Sequence, residues 1–313
     1  MDTNSAPDDD HILRNFHPWF RLYKDGHVQR LVGEEKVSAG IDFVVGVQSK
    51  DIIINHETGL SARMFLAMTA GAADKLPLLI YIHGGGSCVG SAFHPFYPGH
   101  LDTIAAEANA VVLSVNYRLA PEHPLPIAYD DTWEAIKWAA AHLYGDGSEP
   151  WLNDHADFRR VYFAGDSAGE NIAHNMAMKV GLDSPNGLNL AGIVLIHSYV
   201  GNDRKSELIE LLYPTMAGPD EPKINPAKDP NLQRLGCRRV LVMVAGNDSL
   251  VNRGRAYYEA LKNSGWEGEV NMVEAGGETR EFHLYDPEKE KARSLVRQFG
   301  SFIAQKYCFR SCI

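Results

Sequence analysis

The chain has 313 residues, 45% of them apolar and 22% charged, with five Trp, thirteen Tyr and twelve Phe, enough to fill the core of one large α/β domain. Its 30 basic against 40 acidic residues leave a formal charge of −10, with no Lys/Arg run longer than a pair, which excludes a nucleic-acid footprint or an anionic membrane surface. No apolar run reaches the roughly 18 residues of a membrane span, and the acidic start MDTNSAPDDD lacks the basic and apolar regions of a secretory signal, so a water-soluble cytoplasmic protein is expected.

In chain order, the segment FHPWFRLYKDGHVQRL combines aromatics with a Lys24-Asp25-Gly26 turn and is expected to cover something, as part of an N-terminal cap over residues 1–45. SKDIIIN and LSARMFLA flank a polar turn ending in Gly59 and predict an antiparallel hairpin at one sheet edge. From Lys75 onward, buried strand-like runs at 78–82, 111–115, 161–164, 191–197, 240–245 and 269–273 alternate with helical patterns at 101–109, 128–143, 168–179, 253–264 and 287–304. That alternation predicts βαβ units and a mostly parallel central sheet flanked by helices. Residues 201–235, rich in Pro, Asn, Asp and Gly with a short helical patch at 206–212, read as a lid insertion. Residues 305–313 read as a flexible tail, and the whole of 1–313 as one domain, monomeric or homodimeric.

Two motifs carry chemistry. In VYFAGDSAGENIAHN a strand leads into Gly165-Asp166-Ser167-Ala168-Gly169, a G-x-S-x-G, and a helix follows at once. A sharp strand-to-helix turn tolerates only small flanking residues and lifts Ser167 to a positive helix N-terminus, as a nucleophile requires. A glycine turn with a merely structural serine would not need both flanking elements. In IYIHGGGSCVGSA the spacing from Gly84 to Gly90 does not give G-x-G-x-x-G, and no P-loop lysine follows. HGGG is the remaining reading: glycines bare their backbone N–H groups to a developing oxyanion, with Gly85, Gly86 and Ala168 as the donors. His83, Ser87, Asp166 and Glu170, set within or beside these motifs, are expected on the wall of a pocket for a small-molecule substrate.

The four cysteines fall in no zinc spacing and the thirteen histidines in no H-E-x-x-H, so neither metal nor cofactor is expected. The pair Cys308 and Cys312 is not a prenylation box, because Arg310 stands fourth from the end.

HGGG at His83, VNYRLAPEHPLPIAYDD at 115–131 and GDSAG at Gly165 resemble the hormone-sensitive-lipase-like branch of α/β-hydrolases. With FRLYKDGHVQRL, WLNDHADF, INPAKDPNL, LGCRRVLVMVAGND and AYYEALKNSGW, the chain from about Phe16 to Ile303 is similar to the plant carboxylesterase family. That family also contains hydroxyisoflavanone dehydratases, alkaloid cyclases such as tabersonine and catharanthine synthases, and gibberellin receptors. The resemblance implies an α/β-hydrolase fold with N-terminal and mid-chain lids, and a triad acid at Asp248 within VMVAGNDSLVNRG. It places the triad base at the first position of the segment Arg280-Glu281-Phe282-His283-Leu284, where this chain has arginine.

Arginine keeps its proton at neutral pH and offers donors only, so it cannot act as a general base. His283, three residues on, is the alternative base. The family's usual aromatic after HGGG is Ser87 here, and its third small residue after GDSAG is Glu170, so Arg280 is expected to be held by Asp248, Glu170 or both. A disabled triad around an intact oxyanion hole implies elimination, cyclisation or rearrangement of a small alkaloid- or phenolic-type metabolite of plant specialised metabolism. Ester hydrolysis by Ser167 and His283, and ligand binding of the gibberellin-receptor kind, are the alternatives.

Overall fold

The structure, a computed structural model, describes residues 11–71, 75–183, 187–198, 207–218 and 220–305. The tail at 306–313, the first ten residues of the expected cap and the first six of the expected lid lie outside the described residues.

The alternation of apolar runs becomes a nine-stranded sheet. Its strands are β4 (Ile41–Asp42), β5 (Val47–Asn55), β6 (Leu60–Ala67), β7 (Leu76–Ile82), β8 (Val111–Asn116), β9 (Ala156–Asp166), β10 (Leu190–Ile196), β11 (Arg239–Ala245) and β12 (Glu269–Ala275), in spatial order β12-β11-β10-β9-β7-β8-β6-β5-β4. The six strands from β12 to β8 run parallel, and β8, β6, β5 and β4 pair antiparallel. The predicted hairpin is β5 and β6, and it does extend the sheet. β9 is longer than its four-residue apolar centre suggested, because Asp157, Phe158, Arg159 and Arg160 extend it at its start, where Asp157 pairs with Pro77 of β7.

The sheet is covered on both faces, which is why β7, β10 and β11 in its middle are almost wholly apolar, while the edge strand β12 carries Glu269, Asn271 and Glu274. Along β7, Leu76, Leu78, Ile80 and Ile82 enter one core, while Leu79 and Tyr81 enter the other. Helices α2 (Ile127–Ala140), α4 (Ala168–Leu182) and α6 (Val251–Asn263) pack on the first face, and α1 (Phe96–Ala108) and α8 (Glu290–Ala304) on the second. Two short helices went unpredicted, α3 (Pro150–His155) and α7 (Phe282–Tyr285), each too brief to show a helical repeat in sequence.

The aromatic N-terminal segment forms a small antiparallel sheet of β1 (Ile12–Phe16), β2 (Phe20–Tyr23) and β3 (Val28–Arg30). What it covers is the loop after β7: Phe20 is fully buried with Cys88, Val89, Ala120 and Leu212, the last from α5 (Glu207–Leu212) of the insertion between β10 and β11. Arg30 fastens the contact, donating from Nε to the Cys88 carbonyl at 2.8 Å and from both terminal nitrogens to Glu122 at 2.7 and 2.8 Å. No helix among the described residues is long and apolar enough to cross a membrane.

Candidate active site

Ser167 stands between the last residue of β9 and the first of α4, with φ 55° and ψ −120°, a conformation that L-residues rarely adopt. The turn closes only because its neighbours lack side chains. A Cβ on Gly169 would overlap the Ile82 carbonyl oxygen, and one on Gly165 would overlap the backbone of Gly169. The Ser167 N–H donates to the Ile196 carbonyl at 2.9 Å, which ties the turn to β10.

Opposite it, the chain leaves β7 through His83-Gly84-Gly85-Gly86, with φ +96° at Gly85 and +63° at Gly86. The loop is held from behind. The Gly84 N–H donates to the Tyr97 hydroxyl at 2.9 Å, the Cys88 and Val89 N–H groups donate to the Gly85 carbonyl, and the His83 ring stacks on Tyr117 at 4.2 Å. The Gly85 and Gly86 N–H groups make no hydrogen bond among the described residues, and Ala168, as first residue of α4, has no intrahelical acceptor. The loop approaches the Ser167 turn at Gly84, where an added Cβ would stand 3.1 Å from Ser167 Cβ. Ser87 is buried at the end of this loop, and the Tyr117 hydroxyl donates to the His83 carbonyl at 2.8 Å.

Asp166 lies under this loop, fully buried, accepting from Tyr81 Oη at 2.8 Å and from Tyr97 Oη at 3.1 Å. Tyr97 thus joins Asp166 to the glycine loop. Burial pushes the Asp166 carboxyl up to about 7, the charge of Glu281 pushes the same way, and the two tyrosines and Arg280 oppose.

Asp248 follows β11 and its Oδ1 accepts the Leu250 N–H at 2.9 Å, so it orders the start of α6. Its Oδ2 accepts from Arg280 Nη1 at 2.8 Å, the Asp248 side chain being 3% exposed and that of Arg280 23%. Arg280 also donates from Nη2 to the His197 carbonyl at 2.6 Å, and its Nε lies 3.7 Å from Glu281 Oε1. Of the two carboxylates expected to hold Arg280, only Asp248 does. Glu170 is buried further along α4, where its Oε1 accepts from Ser198 Oγ at 3.2 Å. The helix turns its side chain towards β10, a direction that spacing from Ser167 could not reveal.

His283 sits within α7, fully buried against His100 at 4.9 Å and His197 at 5.1 Å, and neither of its ring nitrogens has a hydrogen-bond partner. Burial, then the charges of His100 and His197, hold it well below the ordinary histidine value, so it is neutral. No hydrogen bond joins it to Ser167 among the described residues. Glu281, which sequence reasoning passed over, stands beside Arg280, and burial raises its carboxyl above the ordinary range. Its backbone is left-handed, φ 56° and ψ 19°, and its N–H donates to His197 Nδ1 at 2.9 Å. A carboxylate beside the missing base was the one available signal. Among the described residues no group of three or more His, Cys, Asp or Glu is placed to hold a metal ion.

A profile of the alpha/beta hydrolase fold matches residues 79–284, which run from β7 through α7 and include every group just described. "Probable carboxylesterase 13" of Arabidopsis thaliana is 43% identical over 94% of this chain and 98% of its own. The chain belongs to the plant carboxylesterase family. Within that family it is also 41% identical to a "2-hydroxyisoflavanone dehydratase" of Glycyrrhiza echinata, over 93% of this chain and 96% of the relative. Among solved structures, an esterase of Pyrobaculum calidifontis superposes with a TM-score of 0.68 at 26% identity, covering 82% of this chain and 84% of that one. The chain is therefore an α/β-hydrolase-fold enzyme of carboxylesterase ancestry.

Proposed function

We propose that this enzyme promotes a non-hydrolytic reaction, an elimination, cyclisation or rearrangement of a small alkaloid- or phenolic-type metabolite, with the oxyanion hole as its main catalytic device. The observation that carries this reading is the Arg280–Asp248 pair at 2.8 Å: a guanidinium occupies the partner position of the triad acid, and it accepts no proton from Ser167. Three free N–H groups beside Ser167 would stabilise a carbonyl oxygen that gains negative charge, whether or not an acyl-enzyme forms. Two relatives named 2-hydroxyisoflavanone dehydratase lend support, since dehydration is such an elimination.

The test is steady-state hydrolysis of p-nitrophenyl esters by the native enzyme and by Arg280→His. Little native turnover, with a gain of roughly 100-fold or more in Arg280→His, supports the reading, because loss of a triad base costs several orders of magnitude. Rapid native turnover would sink it. In native enzyme that turns no ester over, incubation with plant metabolite extracts followed by mass spectrometry would reveal the substrate. Saturable binding without conversion would favour a receptor.

A further inference from the structure

A second cavity opens on the α1 and α8 face of the sheet, bounded by α1, α7, α8 and the turn that joins β4 to β5. Its volume is about 480 Å³, within the range of small-molecule sites. None of the residues lining it belongs to the Ser167 turn, to the glycine loop after β7 or to the Arg280–Asp248 pair.

Most of the wall is apolar, from Val44, Val45, Phe96, Leu284, Ala292 and Val296. Its most buried polar members are His100 of α1 and His283 of α7, 5% and 1% exposed, with rings 4.9 Å apart. His100 Nε2 and both ring nitrogens of His283 have no hydrogen-bond partner among the described residues. Folded chains rarely leave buried polar atoms unpaired, and here three of them meet at the wall of a cavity that can hold their partner.

The chemistry of that wall selects the ligand. Burial keeps both imidazoles neutral, and a neutral imidazole offers one donor and one acceptor nitrogen. A hydroxyl answers both, since it donates once and accepts twice. An ammonium group donates but cannot accept, so it would leave an imidazole N–H unanswered. An anion would find the nearby guanidinium groups already paired, Arg293 with Glu288 at 3.2 Å and Arg297 with Glu290 at 2.6 Å. Phe96 adds an aromatic face to the wall, on which a flat ring system can pack.

We propose that this cavity binds a neutral aromatic molecule of the phenol class, its rings among the apolar side chains and its hydroxyl bonded to His100 and His283. The site is separate from the Ser167 turn, and the inference does not depend on which reaction that turn promotes.

The test compares 2-naphthol with naphthalene, which has the same rings and no hydroxyl, by equilibrium dialysis against the full-length protein. Native protein should bind 2-naphthol saturably and about 10-fold more tightly than naphthalene, the scale of one net hydrogen bond. The double variant His100→Leu, His283→Leu should weaken 2-naphthol about 10-fold and leave naphthalene unchanged, whereas a merely structural loss would weaken both alike. Gly99→Phe should expel both probes, because its side chain starts at the cavity wall, where an added carbon meets nothing within 4 Å. No saturable binding of 2-naphthol, or equal affinity for the two probes in native protein, would overturn the proposal. If the double variant does not fold, Gly99→Phe decides alone: an unchanged affinity for 2-naphthol would place the probe elsewhere and overturn the proposal equally.

Discussion

Arg280 Nη1 lies 2.8 Å from Asp248 Oδ2, so the acid that follows β11 is neutralised by a permanent cation and not by a proton carrier. The pair is mostly buried, and the same guanidinium closes the loop after β10 through the His197 carbonyl at 2.6 Å. Arg280→Met should therefore lower unfolding stability by about 2–4 kcal/mol in urea titrations, since it leaves Asp248 charged and unpaired. Asp248→Asn in the Arg280→Met background should recover part of that loss. No stability change in Arg280→Met would mean that the pair is solvated in solution.

Tyr97 links the Gly84 N–H to Asp166. Tyr97→Phe should lower stability by about 1–3 kcal/mol, the penalty for a buried donor left without a partner. It should also slow fluorophosphonate labelling of Ser167, because the oxyanion loop loses its brace. Unchanged labelling at reduced stability would confine Tyr97 to a packing role.

Gly169, in the first turn of α4 against β7, differs in kind from Gly99 on the open side of α1. Gly169→Ala should destabilise by more than about 2 kcal/mol, as its Cβ would overlap the carbonyl oxygen of Ile82 in β7. Gly99→Ala in α1, where nothing lies within 4 Å of the added carbon, should stabilise by about 0.5–1 kcal/mol. Comparable denaturation midpoints for the two variants would contradict this placement of the turn.

His283 offers no hydrogen bond and no route to Ser167 in this geometry. His283→Leu, similar in volume, should change stability by less than about 1.5 kcal/mol and leave Ser167 labelling at the native rate. Loss of labelling in that variant would make His283 the base and revive conventional ester hydrolysis.

Burial holds His83 down to about 4 and His100, His174 and His197 down to about 3, so all four stay neutral in the fold. Below about pH 6.5 the unfolded chain takes up protons at these positions and the native one does not, so their contribution to stability is lost as pH falls from 6.5 towards 3–4. Asp166 and Asp102, both pushed up to about 7 by burial first, act oppositely: their contribution is full below pH 3.8 and is lost as pH rises to 7. With His283 added to the lowered histidines and Glu281 to the raised carboxyls, the histidines still outnumber the carboxyls and give a net fall on acidification. Denaturation midpoints should drop from pH 6.5 to 4.5, and a flat or rising profile would show that waters solvate the buried imidazoles.

The six parallel strands and the hairpin were legible because strands buried on both faces must be apolar, and a run of Val, Ile and Leu carries that demand on its surface. The Ser167 turn and the glycine loop after β7 were legible for a steric reason: only glycine fits where β7, β9 and α4 approach each other, so the motifs spell out the geometry. Arg280 at the triad base position was visible from the motif it interrupts. What sequence could not carry was direction. Glu170, one helical turn from Ser167, faces Ser198 and not Arg280, and His283 faces His100 and His197. Glu281 takes its direction from a left-handed backbone that its N–H locks to His197, a second left-handed residue from a distant loop. The composition and spacing of the chain determined its fold and the position of the Ser167 turn, since these follow from local sterics and burial. Which way Glu170, Glu281 and His283 face was decided by backbone conformations that exist only once β10, β11 and α7 are packed against one another.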